Sequence, residues 1–440
     1  MREYLLLLQK NRNYRFLWLG SVVSQLGDWF NLLAAAEIIT ALTNSGVAIS
    51  YLFLTRFLPL FLFSPLAGVL ADRLNRRTIL IVSDVLRAFT VLGFLLVRSS
   101  GQIWLFYALT LLQFVLSALF TPARNAVLAN VVVEEDLVTA NALDSLTWST
   151  MLALGAFLGG LVAATLGAQT AFVLDSLTFI LSAWFISRIV MPATVITSVG
   201  VRQTGWLDFV DGFRYLWGEP VILAIALVKA AGSLVWGGIN VLEITFAAQV
   251  FSLQDSFVAQ TLHVENGATA VLGAIYVVSG LGTGLGPIVL RSWLGDSRRR
   301  ILLGISIGFV LLTVGIMTLA RAGSLPVFLS GTLVRTVGSG AVWVFSAALL
   351  QMLTPDRFRG RVFAFEFAAL TLTQSVATFF AGYAQDSWGM DVRGVTAVLG
   401  WLSMVMAALW FLVHWRVRSH FMEGEGGQRP SGNKHSGLHR

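Results

Sequence analysis

The sequence has 440 residues, of which 56% are hydrophobic and 12% charged, with a formal net charge of +7. Soluble domains carry roughly 25% charged residues, so this composition excludes an ordinary water-soluble globule. The chain has no cysteine, which removes disulfides, thiolate metal sites and cysteine nucleophiles from consideration at once.

In chain order, residues 1–13 read as a short cytoplasmic, interfacial lead-in, because the run Leu5-Leu6-Leu7-Leu8 is too short for a secretory signal core. Apolar stretches of about 20 residues, enough to cross a hydrocarbon layer of roughly 30 Å as a helix, then recur down the chain. They predict twelve spans: 14–42, 47–72, 76–98, 102–128, 138–166, 169–190, 219–249, 266–293, 299–321, 325–352, 361–386 and 393–416. The fold class is therefore an all-α membrane protein made of two six-helix bundles, residues 14–190 and 219–418. A cytoplasmic linker, residues 191–218, joins them. Its Trp206, Phe209, Phe213, Tyr215 and Trp217 alternate with Arg202, Asp208, Asp211 and Arg214, as in an amphipathic helix lying on a membrane surface. Residues 419–440 are rich in Gly, Ser and charge and predict a disordered cytoplasmic tail.

Of the 30 Lys and Arg, 22 fall on the side shared by both termini, three on the other side and five inside spans. Loops rich in Lys and Arg stay cytoplasmic, so both termini are expected there. Scattered in this way, the positive charge forms no face for nucleic acid. Loops on the opposite side are very short, such as Thr43-Asn44-Ser45 and Ala168-Gln169-Thr170, so consecutive spans must be antiparallel neighbours. The segment from Gly68 to Arg77 ends the second span, and the segment from Gly286 to Arg300 ends the eighth; repeated halves with a site between them are a common transporter design.

An ionisable side chain at mid-bilayer costs at least about 2.5 to 3.5 kcal/mol on insertion scales, so each one needs a partner or a task. At a helical rise of about 1.5 Å per residue, Asp28 in span one and Arg56 in span two come to similar depth, near the middle. They are predicted to pair, either as a permanent structural pair or as a switch broken by a proton or by cargo. Glu37 and Asp175 are placed near the outer ends of spans one and six, where each could take up a proton or merely meet interfacial water. Arg335, deep in span ten, is a candidate for lining the central cavity. Lys229 and Glu243 read as snorkelling or locally paired, and Asp84 with Arg87, three apart, as an intrahelical pair.

Other signals point away from enzymes. The run Gly280-Leu281-Gly282-Thr283-Gly284-Leu285-Gly286 lies in a span with no preceding strand, so Gly282 and Gly286 read as helix-packing positions and not as a phosphate loop. No Gly-x-x-x-x-Gly-Lys-Ser/Thr occurs, and the five histidines have no metal-binding spacing, so no cofactor and no metal are expected.

Gly68, Asp72, Arg73, Arg76 and Arg77 follow the loop pattern of the major facilitator superfamily, with Asn75 in place of its second glycine. Gln25-Leu26-Gly27-Asp28-Trp29, Ser83 to Ala88, Pro122-Ala123-Arg124, Ala140-Asn141-Ala142-Leu143 and Gly360-Arg361-Val362 resemble the bacterial macrolide-efflux and enterobactin-exporter branch of that family. The resemblance covers nearly the whole chain. It implies alternating access, a conformational switch at Gly68, Asp72, Arg73, Arg76 and Arg77, and proton antiport. Two departures stand out: Gly155, Gly159 and Gly160 in span five remain as packing positions, without the proline usual there, and span four carries Gln113 where an arginine is usual. The implied function is that of a monomeric secondary transporter in a bacterial inner membrane, with small-molecule substrate, protons and lipid bilayer as partners. It exports drug-like lipophilic or amphiphilic compounds. A dedicated exporter of a siderophore or other metabolite, a lysolipid transporter, and a non-transporting receptor or scaffold are the alternatives.

Overall fold

In a computed structural model, the described residues are 2–133, 136–191, 213–251, 267–295 and 297–425, and nearly all of them are helical. The N-terminal part holds α1 (Arg2–Lys10), α2 (Arg12–Thr43), α3 (Gly46–Arg73), α4 (Arg76–Gly93), α5 (Ile103–Val131) and α6 (Leu137–Ser187). The C-terminal part holds α7 (Pro220–Ala226), α8 (Val228–Gln249), α9 (Gly267–Leu294), α10 (Arg298–Arg321), α11 (Leu325–Leu353), α12 (Asp356–Asp386) and α13 (Val392–Glu425). Among the described residues, ten helical stretches are long and apolar enough to cross a membrane.

The helix ends follow from local chemistry. Asn44 closes α2 in a left-handed conformation (φ 47°, ψ 34°), which asparagine tolerates better than most residues. Ser45 then caps α3, its hydroxyl accepting from the Ala48 amide, so the chain reverses within two residues. Asn75 caps α4 in the same manner, accepting from the Thr78 amide at 3.2 Å. Its extended backbone (φ −64°, ψ 111°) shows that asparagine stands here as a helix cap, not as a left-handed substitute for glycine.

At 51 residues, α6 is about twice as long as a hydrocarbon layer requires. Its neighbours show why. Helix α2 runs parallel to the first part, with Tyr14 bonded to the Ala140 carbonyl, Trp18 bonded to Thr147, and Trp29 lying against Gly155 and Gly159. It runs antiparallel to the second part, with Gly20 against Ser182 and Gly27 against Asp175 and Thr178. The chain therefore doubles back at Gly167 (φ 78°, ψ 160°), a conformation available to glycine alone without strain.

The two parts of the molecule meet along two seams, α3 with α12 and α6 with α9. On the α6–α9 seam a Cβ on Gly160 would strike the Cα of Gly273, and one on Gly280 would strike the backbone of Ala153. Within the C-terminal half, Gly282 and Gly286 lie so close to Thr336 and Val337 of α11 that neither could carry a side chain without displacement.

Several boundaries differ from those expected. The last helix continues to Glu425, seven residues past the predicted domain edge at 418, although its apolar stretch ends at Val417. The span at 361–386 begins earlier, at Asp356 just after Pro355. The predicted seventh span is in two pieces, α7 and α8, with a break at Leu227. The predicted lead-in at 1–13 contains its own helix, α1, which buries Leu7. Linker residues 192–212 and tail residues 426–440 lie outside the described residues, as do the side chains of Gly68, Asp72 and Arg73.

Candidate functional site

Halfway along α2, Asp28 faces α4 and not α3. Its carboxylate takes an ion pair from Arg87 at 3.2 Å, and the other arm of the same guanidinium reaches Asp84 at 3.3 Å. The Arg87 guanidinium also lies over the Phe179 ring at 4.0 Å, so an aromatic face covers the flat side that the carboxylates leave free. The predicted Asp28–Arg56 pair is therefore corrected. Arg56 donates instead to the Asn31 side-chain oxygen at 2.6 Å, one turn beyond Asp28, and lies over Phe114. Depth along each helix placed Asp28 and Arg56 at one level, but the angle around the α2 axis turns Asn31, not Asp28, toward α3.

Asp175 also belongs to this cluster. It was expected near the outer end of span six, yet it sits at the level of Gly27, in contact with mid-α2, and is fully buried. The turn at Gly167 starts the descending segment only about two residues before the predicted start at 169, so the depth of Asp175 comes mainly from its place eight residues below that turn, against the middle of α2. One carboxylate oxygen meets the Thr178 hydroxyl at 3.4 Å, and the other has no hydrogen-bond partner among the described residues. Arg56 lies within electrostatic reach of both Asp28 and Asp175.

The N-terminal cluster thus gathers three carboxylates, Asp28, Asp84 and Asp175, around two guanidiniums, Arg56 and Arg87. Asp28 keeps 39% of its side chain accessible, whereas the Arg87 and Asp84 side chains are 4% and 0% accessible. One anionic group in excess, held beside an opening, is an arrangement that a proton or a cationic group can neutralise. A second polar contact links α2 to α5 and α6 lower down, where Arg124 holds Asp144 at 2.8 Å and Ser21 at 2.6 Å. Gln113, in the middle of α5, is buried, and neither end of its amide is bonded among the described residues.

The C-terminal half is built differently. Of the two readings for Glu243 and Lys229, snorkelling or pairing, the structure has pairs. Glu243 of α8 pairs with Arg335 of α11 at 2.5 Å, both buried. Lys229, at the first turn of α8, pairs with Glu366 of α12 at 3.0 Å and lies 4.5 Å from the Trp343 ring centre. Glu366 was missed as a membrane carboxylate because the span was taken to begin at 361, five residues before it; with α12 starting at Asp356 it lies ten residues in and is buried. Between the halves, Tyr276 of α9 packs edge-on against Trp29 at 5.3 Å. Glu37 lies apart from both clusters. It accepts a hydrogen bond from Thr269 across the halves at 3.0 Å, in a recess also lined by Ala36, Thr40, Ala247 and Leu272.

Of the loop residues, Arg77 ties the start of α4 to the end of α6 by donating to the Ile186 carbonyl at 3.4 Å and to the Ser187 carbonyl. Cationic donors at the last carbonyls of a helix complement its dipole.

A helical chain with paired halves and charges buried at mid-span matches a known family model over residues 17–262, described as the Major Facilitator Superfamily. The chain belongs to the Major Facilitator Superfamily. Among curated relatives of this family it is 27% identical over 400 residues to an uncharacterized MFS-type transporter, YfiS, of Bacillus subtilis (strain 168), covering 88% of this chain and 90% of that one. It is 29% identical over 229 residues to the "Putative bacilysin exporter BacE" of Bacillus amyloliquefaciens, covering 52% of this chain and 57% of that one. It is 30% identical over 136 residues to macrolide efflux protein A of Streptococcus pyogenes, covering 30% and 34%. Among solved structures, the nucleoside transporter NupG superimposes with a TM-score of 0.72 at 13% identity, covering 92% of this chain and 99% of that one, a likeness of fold. This superfamily member is thus a multi-pass membrane transporter with exporters among its homologues.

Proposed function

We propose that this chain crosses the membrane twelve times, with both termini cytoplasmic, and exports lipophilic or amphiphilic small molecules in exchange for protons. Ten apolar stretches, together with α2 and the doubled α6, give the count, and the Lys and Arg distribution gives the direction. The protein works as a monomer in a bacterial inner membrane, with 14–190 and 219–418 as the bundles that rock about a site between them.

The observation that carries the coupling is the uneven charge of the N-terminal cluster. With Asp28 ionised, Arg87 is held between it and Asp84. A proton on Asp28, or a cationic cargo group beside it, releases that arm of Arg87 and weakens the tie between α2 and α4. Asp175 is the second place for the exchanged proton. Proton and cargo then compete for one negative charge, which is the differential binding that a two-state carrier requires. Export as the direction is supported by the names of the exporter relatives. A second reading, export of one dedicated metabolite, is favoured by the name of the bacilysin exporter homologue.

The test is accumulation of a fluorescent lipophilic cation and a labelled macrolide in efflux-deficient bacteria, with and without a protonophore. Expression of the native chain is expected to lower accumulation unless protonophore is present, and Asp28→Asn to abolish that effect. Unchanged accumulation of both compounds with membrane-inserted protein would turn the reading to a dedicated cargo.

A further inference from the structure

The end of α12 and the start of α3 come from opposite halves of the chain, yet one side chain joins them. Asp386, the last residue of α12, is exposed, but its carboxylate is fully engaged. Oδ1 accepts from the Gly46 amide at 2.9 Å, and Oδ2 accepts from the Val47 amide at 3.1 Å and from the Ser45 hydroxyl. These are the first free amides of α3, so a carboxylate from the other half closes an N-terminus whose partial charge favours an anion. Below it the seam is dry and tight. Ser50 donates to the Thr378 carbonyl at 2.7 Å, and Gly382 lies so close to Gly46 and Ser50 that a Cβ there would overlap both.

We propose that Asp386 is a latch on the outer face of the carrier, holding α3 to α12, and that outward opening requires its carboxylate to leave the α3 N-terminus. The bond is made to be broken. Ser45 caps α3 from within by accepting from the Ala48 amide at 3.1 Å, so α3 remains capped when Asp386 withdraws. Asp386 is exposed and Val47 half-buried at this edge, and the Gly46 amide, buried while the seam is closed, meets water once the seam parts, so opening strands no buried polar group. Among the described residues the α6–α9 seam shows close contact between small residues such as Gly160 and Gly273, and no carboxylate of one of these two helices caps the other as Asp386 caps α3.

The inference rests on the transport reading for the statement that this face opens, but its test needs no cargo. Because the native chain has no cysteine, Ser50→Cys supplies one thiol, fully buried at the seam below the latch. Its alkylation by a membrane-impermeant maleimide applied from outside reports opening. Asp386→Ala is expected to speed alkylation about tenfold, the effect of losing hydrogen bonds to a charged group. Asp391→Ala is the control. That carboxylate accepts from the Gly394 amide within its own helix start and touches nothing across the seam, so the rate is expected to stay the same. If Ser50→Cys does not fold, hydrogen exchange at the Gly46 and Val47 amides gives the second readout, faster in Asp386→Ala. An unchanged alkylation rate or unchanged exchange in Asp386→Ala overturns the latch, as does equal acceleration by Asp391→Ala. Faster labelling in a protein that exports neither test compound supports the latch and counts against the proposed cargo.

Discussion

The two halves organise their membrane charges differently. In the C-terminal half each cation has one carboxylate: Lys229 with Glu366, and Arg335 with Glu243. In the N-terminal half one guanidinium, Arg87, serves two carboxylates, while Asp175 has no cation within bonding distance among the described residues. A closed one-to-one pair balances its own charge and gains nothing by exchanging a proton. A shared, uneven cluster has a member left over, and that member is free to exchange. The C-terminal pairs thus tie helices to one another, and the N-terminal cluster is the one to which the proposed coupling is assigned.

The sharpest way to break this contrast is to remove one partner from each side. Glu243→Gln leaves Arg335 buried and uncompensated and is expected to destabilise the protein by roughly 3–5 kcal/mol, read as lower thermal stability in detergent. Adding Arg335→Met should restore most of that stability, because an apolar pair of similar volume is tolerated where the ion pair stood. Restored stability should come with restored export in the C-terminal double variant. In the N-terminal half the corresponding variant, Asp28→Asn and Asp84→Asn with Arg87→Met so that no carboxylate loses its cation, should be inserted and folded but uncoupled. Coupled export by that variant would show that the two halves do not divide the work in this way.

Packing gives the next largest effect. Gly27→Val places a branched side chain on Thr178 and Asp175 and should cost about 1–3 kcal/mol as overpacking, with protonophore-sensitive export lost as α2 is pushed from α6. Gly167→Val should also lower stability, since the left-handed backbone there suits glycine. A smaller loss, about 1 kcal/mol, is expected for Asp144→Asn, because the Arg124–Asp144 pair is partly exposed, with side chains 15% and 18% accessible. The smallest is Asn75→Ala, about 1 kcal/mol or less for the lost helix cap, measured as the same thermal shift.

The sequence made the helices legible because a membrane demands long apolar runs, and the starts of α3, α9 and α10 fall within a residue or two of where those runs predict them. Depth was legible too: Asp28 and Arg56 do lie close enough to feel one another. What a linear reading lacks is direction around each helix axis. Arg56 met Asn31, one turn along α2 from Asp28, while Asp28 itself turned to α4, and Arg87 was paired with Asp84 by spacing while its second arm to Asp28 had no local signature. Glu366 was not singled out in the sequence, where it lies only five residues into the expected span at 361–386, yet it is buried.

The reversal at Gly167 has a mechanical meaning as well. With a single residue between them, the two limbs of α6 have no slack, and α2 is wedged along both. The limb that packs Gly160 against the C-terminal half and the limb that bears Asp175 are thus joined at one residue, much as the two leaves of a folded strip share a single crease.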